Sequence, residues 1–182
     1  MLVVVAVART VRGMSDIPVR PPVRPPARGA PGPRPGETVV YTDGSCRGNP
    51  GPGGWAWAVP GGAYASGADP YTTNQRMEVT AVLRALEELS GPLLVVSDST
   101  YVVNCFRNRW FEGWKRRGWR NAAGQPVANR DLWEPLLELV LHADRPVRFE
   151  WVKGHSADPM NDRVDLLATE AADRQRGSSG GT

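Results

Sequence analysis

Four acidic residues in this sequence stand at predicted strand ends or near the starts of predicted helices. Asp43 and Asp98 each end a β-rich run, Glu78 lies near the start of a helix, and Asp165 lies in the first half of the last helix. Open α/β sheets place their ligands at the carboxyl ends of the strands. We therefore expect these side chains, which come from separate elements, to converge at one edge of a sheet.

Clustered carboxylates repel one another and stay ionised together only when cations neutralise them. Carboxylate oxygens are hard ligands, which favour Mg²⁺ or Mn²⁺. Two such ions about 3.5–4 Å apart can activate a water molecule and stabilise the leaving oxygen when a phosphodiester is cut. The pattern is compatible with this chemistry, although each acid taken alone is also typical of a strand end or an early helical turn without any.

The elements that must position these acids follow the order β-β-β-α-β-α-α-β-α. This order predicts a mixed sheet of five strands with helices on its faces. Apolar residues at helical spacing indicate the first helix, and Pro60 and Gly61 indicate a hairpin turn between the second and third strands. The predicted bounds are Glu37–Gly44, Gly54–Val59, Gly62–Ser66, Leu93–Ser97 and Val147–Val152 for strands, and Asn74–Leu89, Thr100–Asn108, Asp131–His142 and Asn161–Arg174 for helices.

Two segments of biased composition flank these elements. Residues 1–36 are predicted to be a disordered tail rich in Pro and Arg, whose six arginines and one acid give it a charge of +5. Because the whole chain carries +3, the remainder carries −2, and any surface for nucleic acid must be a local patch. Residues 176–182 are predicted to be a flexible tail. Met14 is an alternative candidate for the start of translation.

The composition excludes several classes of protein. The apolar start, residues 2–8, is too short to span a bilayer and lacks the basic region of a signal peptide. The two cysteines, Cys46 and Cys105, have no metal-ligand spacing and argue against a disulfide framework. We therefore expect a cytoplasmic protein that does not bind membranes.

Four motifs follow one another along the chain. They are Tyr41-Thr-Asp-Gly-Ser-Cys-Arg-Gly-Asn-Pro-Gly-Pro-Gly-Gly-Trp55, Thr72-Thr-Asn-Gln-Arg-Met-Glu-Val-Thr-Ala81, Ser97-Asp-Ser-Thr-Tyr-Val102, and Trp151-Val-Lys-Gly-His155 followed by Asn161 and Asp165. Together they resemble bacterial type I ribonuclease H (ribonuclease HI), over roughly residues 38–174. The resemblance implies an α/β, ribonuclease H-like fold with three antiparallel and two parallel strands, and makes 37–175 the catalytic domain.

The resemblance also implies an activity and its residues. The expected reaction is endonucleolytic hydrolysis of the RNA strand of RNA–DNA hybrids, serving replication and hybrid removal, with Mg²⁺ or Mn²⁺ as cofactor and 5′-phosphate and 3′-hydroxyl ends as products. Metal binding is assigned to Asp43, Glu78, Asp98 and Asp165. His155 is assigned to proton transfer or product release, and the family spacing from His155 selects Asp165 rather than Asp162. A monomer without an obligate protein partner is implied.

Hybrid recognition requires a protein to sense a 2′-hydroxyl on one strand and its absence on the other. The resemblance assigns such contacts to Gly44, Cys46, Asn49, Asn74, Gln75 and Glu78. Thr73 and Asn49 resemble a pocket for a phosphate of the DNA strand, although Thr73 is equally well placed to cap a helix. At position 100 this sequence has Thr, whereas many relatives carry Gln. The shorter side chain puts the contact of this position with the hybrid in doubt.

A basic patch lies in residues 107–120, where six basic residues and one acid are interleaved with tryptophans. Such a segment can bind phosphates while its aromatic faces pack against sugars. It resembles the family's basic protrusion, which grips the DNA strand, but it is also compatible with a charged helix whose tryptophans face the core. The predicted contacts are Trp110, Trp114, Lys115, Arg116, Arg117, Trp119 and, further on, Asn129.

Two other functions are compatible with the same fold. One is a binding module for hybrids or double-stranded RNA without catalysis, which the loss of a metal-binding acid would favour. The other is a strand-transfer enzyme similar to retroviral integrases, which would need a different acid spacing and neither His155 nor the basic patch. All four acid positions and His155 are filled, so an endonuclease is the preferred interpretation.

Overall fold

The computed structural model describes residues 32–154 and 158–181. Most of the predicted Pro/Arg-rich tail and the predicted catalytic residue His155 lie outside the described residues. The strands are β1 Thr38–Cys46, β2 Gly51–Ala58, β3 Tyr64–Thr72, β4 Leu93–Ser97, β5 Val147–Trp151 and β6 Ser179–Gly180. The helices are α1 Asn74–Glu88, α2 Thr100–Arg107, α3 Trp110–Arg116, α4 Arg130–Leu141 and α5 Pro159–Arg174.

The strands form one mixed sheet in the order β5-β4-β1-β2-β3-β6. β1, β2 and β3 form an antiparallel meander, whereas β4 runs parallel to β1 and β5 runs parallel to β4. Alternate residues of β1 and β2 face opposite sides of the sheet. Val40 and Trp57 belong to the large core shared with α1, α2 and α4, and Ala56 and Ala58 pack against α5. The predicted mixed sheet with helices on both faces is confirmed.

The sixth strand comes from the carboxy-terminal segment. Gly180 and Ser179 pair with Tyr64 and Ala65 at the outer edge of β3, and the Ser178 N–H donates to Ser66 Oγ at 3.0 Å. This pairing corrects the expectation of a sheet of five strands, and it places Ser179 and Gly180 of the segment predicted as a flexible tail, 176–182, in the sheet. The physical reason is that an edge strand presents unpaired N–H and C=O groups, which a short returning segment can satisfy even when its own sequence has little strand character.

A third helix between β4 and β5 is a further correction, because the sequence order contains only two there. The additional helix is α3, which lies inside the basic patch. It turns Phe111, Gly113 and Trp114 into the core and exposes its basic residues. Its short length and high charge conceal the apolar periodicity on which a sequence-based prediction depends. Within the described part of the chain, no helix has the length and apolar character needed to cross a membrane.

Candidate active site

Asp43 and Asp98 are brought together by the pairing of two parallel strands. The register of β1 and β4 aligns Tyr41 with Val96, and each acid follows two residues after its member of this pair. Neighbouring strands lie about 4.8 Å apart. The two carboxylates therefore leave adjacent strands at the same edge of the sheet, as the sequence predicts.

Glu78 reaches this edge because α1 crosses very close to β1 at Gly44. A Cβ atom at position 44 would lie 2.2 Å from the backbone nitrogen of Glu78 and 2.4 Å from the carbonyl carbon of Met77. Only glycine permits such an approach, since any side chain would collide with helix backbone. Gly44 was predicted to contact the hybrid, and the structure gives it this packing role as well.

Asp165 comes from the other face of the sheet, on α5. The Thr169 hydroxyl donates to Ser45 Oγ at 3.2 Å and so ties the helix to β1 just beyond Asp43. Asp165 precedes Thr169 by four residues and lies on the same face of the helix. Its negative charge contributes to the raised pKa of Asp43, whereas Asp162 is exposed to solvent. The structure thus favours Asp165 over Asp162 as the fourth acid of the cluster.

The electrostatics of this cluster centre on Asp43, which is 8% exposed. Burial is the largest cause that raises its pKa to about 8, and the charges of Asp98, Asp165 and Glu78 raise it further. A hydrogen bond from the Gly44 N–H to Asp43 Oδ1, at 2.7 Å, acts in the opposite direction. The pKa of Glu78 is raised as well, first by burial and then by Asp98. The four acids therefore repel one another, and a bound cation would stabilise their ionised forms.

Hydrogen bonds from neighbouring side chains hold the carboxylates. Glu78 accepts from the Ser99 hydroxyl at 2.6 Å and from Asn74 Nδ2 at 2.9 Å, and Asp98 accepts from Asn161 Nδ2 at 3.2 Å. In the described ranges, no three acidic, histidine or cysteine side chains point at a common centre as a ready-made metal site. The acids thus line one edge of the sheet as oxygen donors that are partly engaged by hydroxyl and amide groups.

Of these three donors, only Asn74 was assigned a role from the sequence, while Ser99 and Asn161 appeared only as members of motifs. Ser99 is 4% exposed, and its hydroxyl both donates to Glu78 and accepts from the Val102 N–H at the start of α2. Asn161 is 2% exposed and was recognised only as part of a motif. A serine after a strand-end acid is a usual helix cap, and this signal could have identified Ser99.

The segment that leads to His155 passes beside Asp98. A Cβ atom at Gly154 would lie 2.7 Å from Asp98 Oδ2, and the Trp151 indole nitrogen donates to the Asp98 carbonyl at 3.0 Å. His155 itself lies outside the described residues. Its catalytic role stays a prediction, supported by the course of the chain up to Gly154.

The predicted hybrid contacts gather where the β1–β2 turn meets the start of α1. The Asn49 side-chain oxygen accepts from the Asn74 N–H at 3.0 Å, and the Cys46 thiol lies 3.3 Å from the Thr72 carbonyl. Thr73 accepts from the Arg76 N–H at 3.3 Å, so it caps α1. Gln75 is exposed beside them. These residues form one polar surface next to Glu78.

The basic patch divides into an exposed part and a buried part. Lys115, Arg116 and Arg117 are exposed, and Trp110 is 37% exposed. Trp114 is 7% exposed and packs edge-on against the core residue Trp133 at 5.5 Å between ring centroids. The prediction that the Trp114 ring contacts substrate directly is therefore wrong, because protein covers the ring.

Three other residues singled out in the sequence lie in or near the basic patch: Trp119, Asn129 and Thr100. Trp119 is half-buried, and the Arg130 guanidinium lies 5.2 Å above its ring. Asn129 precedes α4 in the left-handed region with φ 58° and makes no capping hydrogen bond through its side chain. Thr100, the departure from the family pattern, is exposed at the start of α2. All three side chains have surface accessible to a ligand.

Comparisons with known proteins agree with the geometry. The RNase H family profile matches residues 35–173. A Ribonuclease H from Nitratidesulfovibrio vulgaris (strain DP4) is 49% identical over 144 residues, covering 76% of this chain and 91% of the relative. A Ribonuclease H from Granulibacter bethesdensis is 51% identical over 140 residues, covering 72% and 89%.

Among solved structures, the chain is similar to LC9-RNase H1, described as a type 1 RNase H with the type 2 active-site motif. The TM-score is 0.68 at 30% identity, covering 81% of this chain and 78% of that one. The family profile spans most of the chain, the relatives are matched over nearly their full length, and the fold agrees. The chain belongs to the RNase H family of enzymes.

Proposed function

We propose that this protein hydrolyses the RNA strand of RNA–DNA hybrids with two Mg²⁺ ions, and that the products carry 5′-phosphate and 3′-hydroxyl ends. The observation that carries the proposal is the meeting of Asp43 on β1 with Glu78 on α1, Asp98 after β4 and Asp165 on α5, whose charges act on Asp43. Relatives named Ribonuclease H, which align over nearly their whole length, support the substrate class. The ligand set proposed for the ions is Asp43, Glu78, Asp98 and Asp165.

The donor chemistry of the cluster fits divalent cations. Its acids offer only oxygen atoms, which suit Mg²⁺ or Mn²⁺ rather than softer metals. Burial and mutual repulsion raise the pKa values of Asp43 and Glu78. A nearby positive charge would lower both pKa values, because it favours the ionised carboxylates. Bound cations of this kind supply an activated water and stabilise the charge that develops on the leaving oxygen.

Side chains of the protein orient this cluster. Ser99 and Asn74 hold the two oxygens of Glu78, and Asn161 holds one oxygen of Asp98. The remaining lone pairs of these carboxylates stay available for metal binding. His155 is proposed to move a proton or to aid product release. It precedes Asp158, the N-cap residue of α5, by three residues in the sequence.

Substrate binding is proposed to use two surfaces. The polar surface of Cys46, Asn49, Thr73, Asn74 and Gln75 presents small polar groups and backbone next to Glu78, which suits the sensing of a 2′-hydroxyl. The exposed cations of the basic patch would bind phosphates of the DNA strand. Because the chain outside residues 1–36 has a net charge of −2, this patch is its main concentration of positive charge.

A cleavage assay tests the proposal. Labelled RNA–DNA hybrid, duplex DNA and duplex RNA are each incubated with the wild type and with Asp98→Asn, with Mg²⁺ or with EDTA, and the product ends are mapped. We expect cleavage of the hybrid only, dependent on Mg²⁺ and lost in Asp98→Asn. Asp162→Asn, which removes an exposed acid from the same region, is the matched control and should retain activity.

Cleavage at the wild-type rate in EDTA or in Asp98→Asn would overturn the metal mechanism. Binding of the hybrid without cleavage under all conditions would favour a binding module. We also infer a monomer that works in the cytoplasm. Light scattering coupled to gel filtration tests the first inference, and fractionation of native cells tests the second.

A further inference from the structure

The start of α5 is joined to β1 by a single carboxylate. Asp158 Oδ1 caps the helix by accepting from the N–H groups of Met160 at 2.9 Å and Asn161 at 3.2 Å. Its other oxygen, Oδ2, accepts from the Tyr41 hydroxyl at 3.3 Å. Tyr41 lies on β1 two residues before Asp43. One side chain thus links the strand of one metal-binding acid to the helix of another.

The packing of α5 explains why such a link matters. The helix packs on the sheet through Val164 near its start and then through the small residues Ala168, Ala171 and Ala172, and a Cβ atom at Gly54 would lie 2.2 Å from the Ala168 carbonyl oxygen. Small side chains allow close packing, but they provide few large protrusions that interlock and fix a helix along its axis. A directional contact at the helix start therefore adds a constraint that apolar packing supplies only weakly.

Asn161 carries this constraint to the metal-binding cluster. Its N–H is bound by Asp158, and its Nδ2 donates to Asp98 Oδ2. Its other side-chain atom, Oδ1, is buried without a hydrogen-bond partner among the described residues. The Asp98 bond is thus the hydrogen bond that holds the Asn161 amide in the described structure, and a displacement of the helix start would displace the donor to Asp98.

We propose that Tyr41 and Asp158 are positioning residues that set the start of α5, and through Asn161 the orientation of Asp98. This positioning role depends on the proposed function in one respect, namely that Asp98 binds metal. Tyr41 and Asp158 themselves are assigned no contact with substrate or metal. Their loss should lower the rate of the chemical step and leave hybrid affinity unchanged, since the proposed substrate contacts lie at the carboxyl end of β1, the turn after it, the start of α1 and the basic patch, and none lies at the start of α5.

The experiment compares Tyr41→Phe, Asp158→Ser and the double variant under saturating Mg²⁺. Phenylalanine keeps the ring and removes the hydroxyl, and serine keeps a helix cap but is too short to reach Tyr41. We expect each variant to lower kcat by about 3- to 10-fold with KM unchanged, because small displacements of reacting groups reduce rates by such factors. The double variant should lose no more than the single ones, because all remove the same contact.

Two controls and one readout independent of activity complete the design. Tyr64→Phe makes the same change in the other tyrosine that packs against the apolar residues between α5 and β2, and it should leave kcat unchanged. Asp158→Asn can still cap the helix and can donate to the Tyr41 oxygen, so it should retain most activity. The NMR resonances of the Asn161 side-chain amide should shift in Tyr41→Phe and Asp158→Ser but stay in place in Tyr64→Phe.

Wild-type kcat in both single variants, unchanged Asn161 amide resonances, or losses that multiply in the double variant would each overturn the positioning role. Asp98→Asn, measured in parallel, separates this failure from a failure of the proposed function. If Asp98→Asn is inactive and the positioning variants are not, only the present inference fails. If Asp98→Asn is fully active, the metal mechanism itself is wrong, and the Asn161 resonances still report on the contact.

Discussion

Replacing Asp43 with Asn should stabilise the metal-free protein while abolishing hybrid cleavage. The Asp43 carboxyl is 8% exposed, and its pKa is raised from 3.8 to about 8, first by burial and then by Asp98. Folding therefore forces this group either to take up a proton or to remain charged in an unfavourable environment. Asparagine has nearly the same shape and incurs neither cost.

The magnitude follows from the pKa difference. At pH 7 the unfolded carboxyl is ionised, and one pKa unit corresponds to about 1.4 kcal/mol, so holding the proton in the folded state costs at most about 4 kcal/mol. Against this, the asparagine NH2 brings a second N–H donor into a site where the protonated carboxyl has a single O–H, and a buried donor without a partner costs about 1–3 kcal/mol. We expect a net gain of about 2 kcal/mol, which raises Tm by about 4–8 °C for a domain of this size.

The sign of the pH dependence gives a second check. A raised folded-state pKa means that the wild type loses stability as pH rises from the unfolded value of 3.8 through about 8. The variant lacks this loss. The difference in Tm should therefore be small near pH 4 and largest at about pH 8 and above, as expected for one titrating carboxyl.

The assay is thermal unfolding in EDTA across this pH range, with Asp162→Asn as the control for removal of an exposed acid. Added Mg²⁺ should raise the Tm of the wild type by more than that of Asp43→Asn, since the ligand stabilises the folded state in proportion to its binding. A variant Tm at or below that of the wild type at pH 8, or a difference that does not change with pH, would refute the reasoning.

Three further predictions concern other parts of the site. Replacing Lys115, Arg116 and Arg117 with Gln should raise KM more than it lowers kcat and should weaken the salt dependence of binding, and an unchanged KM in steady-state assays would exclude the patch from substrate binding. Trp114→Ala should lower the free energy of unfolding by about 3–5 kcal/mol, as measured in urea, because its ring is in the core; a change in KM alone would mean that the ring contacts substrate. Ser99→Ala should lower Tm by a few degrees and kcat several-fold, because it removes both a helix cap and a donor to Glu78, and Ser99→Thr should retain both functions.

Much of this site could be predicted from the sequence, because the signals are local. The resemblance of the four motifs selects the acids, and periodicity and turn residues predict the strand before Asp98 and the helices that carry Glu78 and Asp165. The prediction that Asp43 ends its strand is wrong, because β1 continues to Cys46 through its pairing with β2. The bounds of the predicted helices agree with the structure within a few residues, whereas β3 runs to Thr72 instead of ending at Ser66. The hydroxyl and amide donors to the acids were less visible, since a hydrogen bond between Ser99 and Glu78 joins residues from different elements.

Other features have no local signal in the sequence, because they depend on what packs against a residue. Trp114 lies in a charged segment, and only the packing of α3 on Trp133 makes it a core residue. The carboxy-terminal residues form β6 because β3 offers an open edge. The raised pKa of Asp43 requires burial together with acids from three other elements, a sum that no local pattern contains. The motifs thus identify which carboxylates could take part, and the packing of four separate elements brings them to one buried, negatively charged edge.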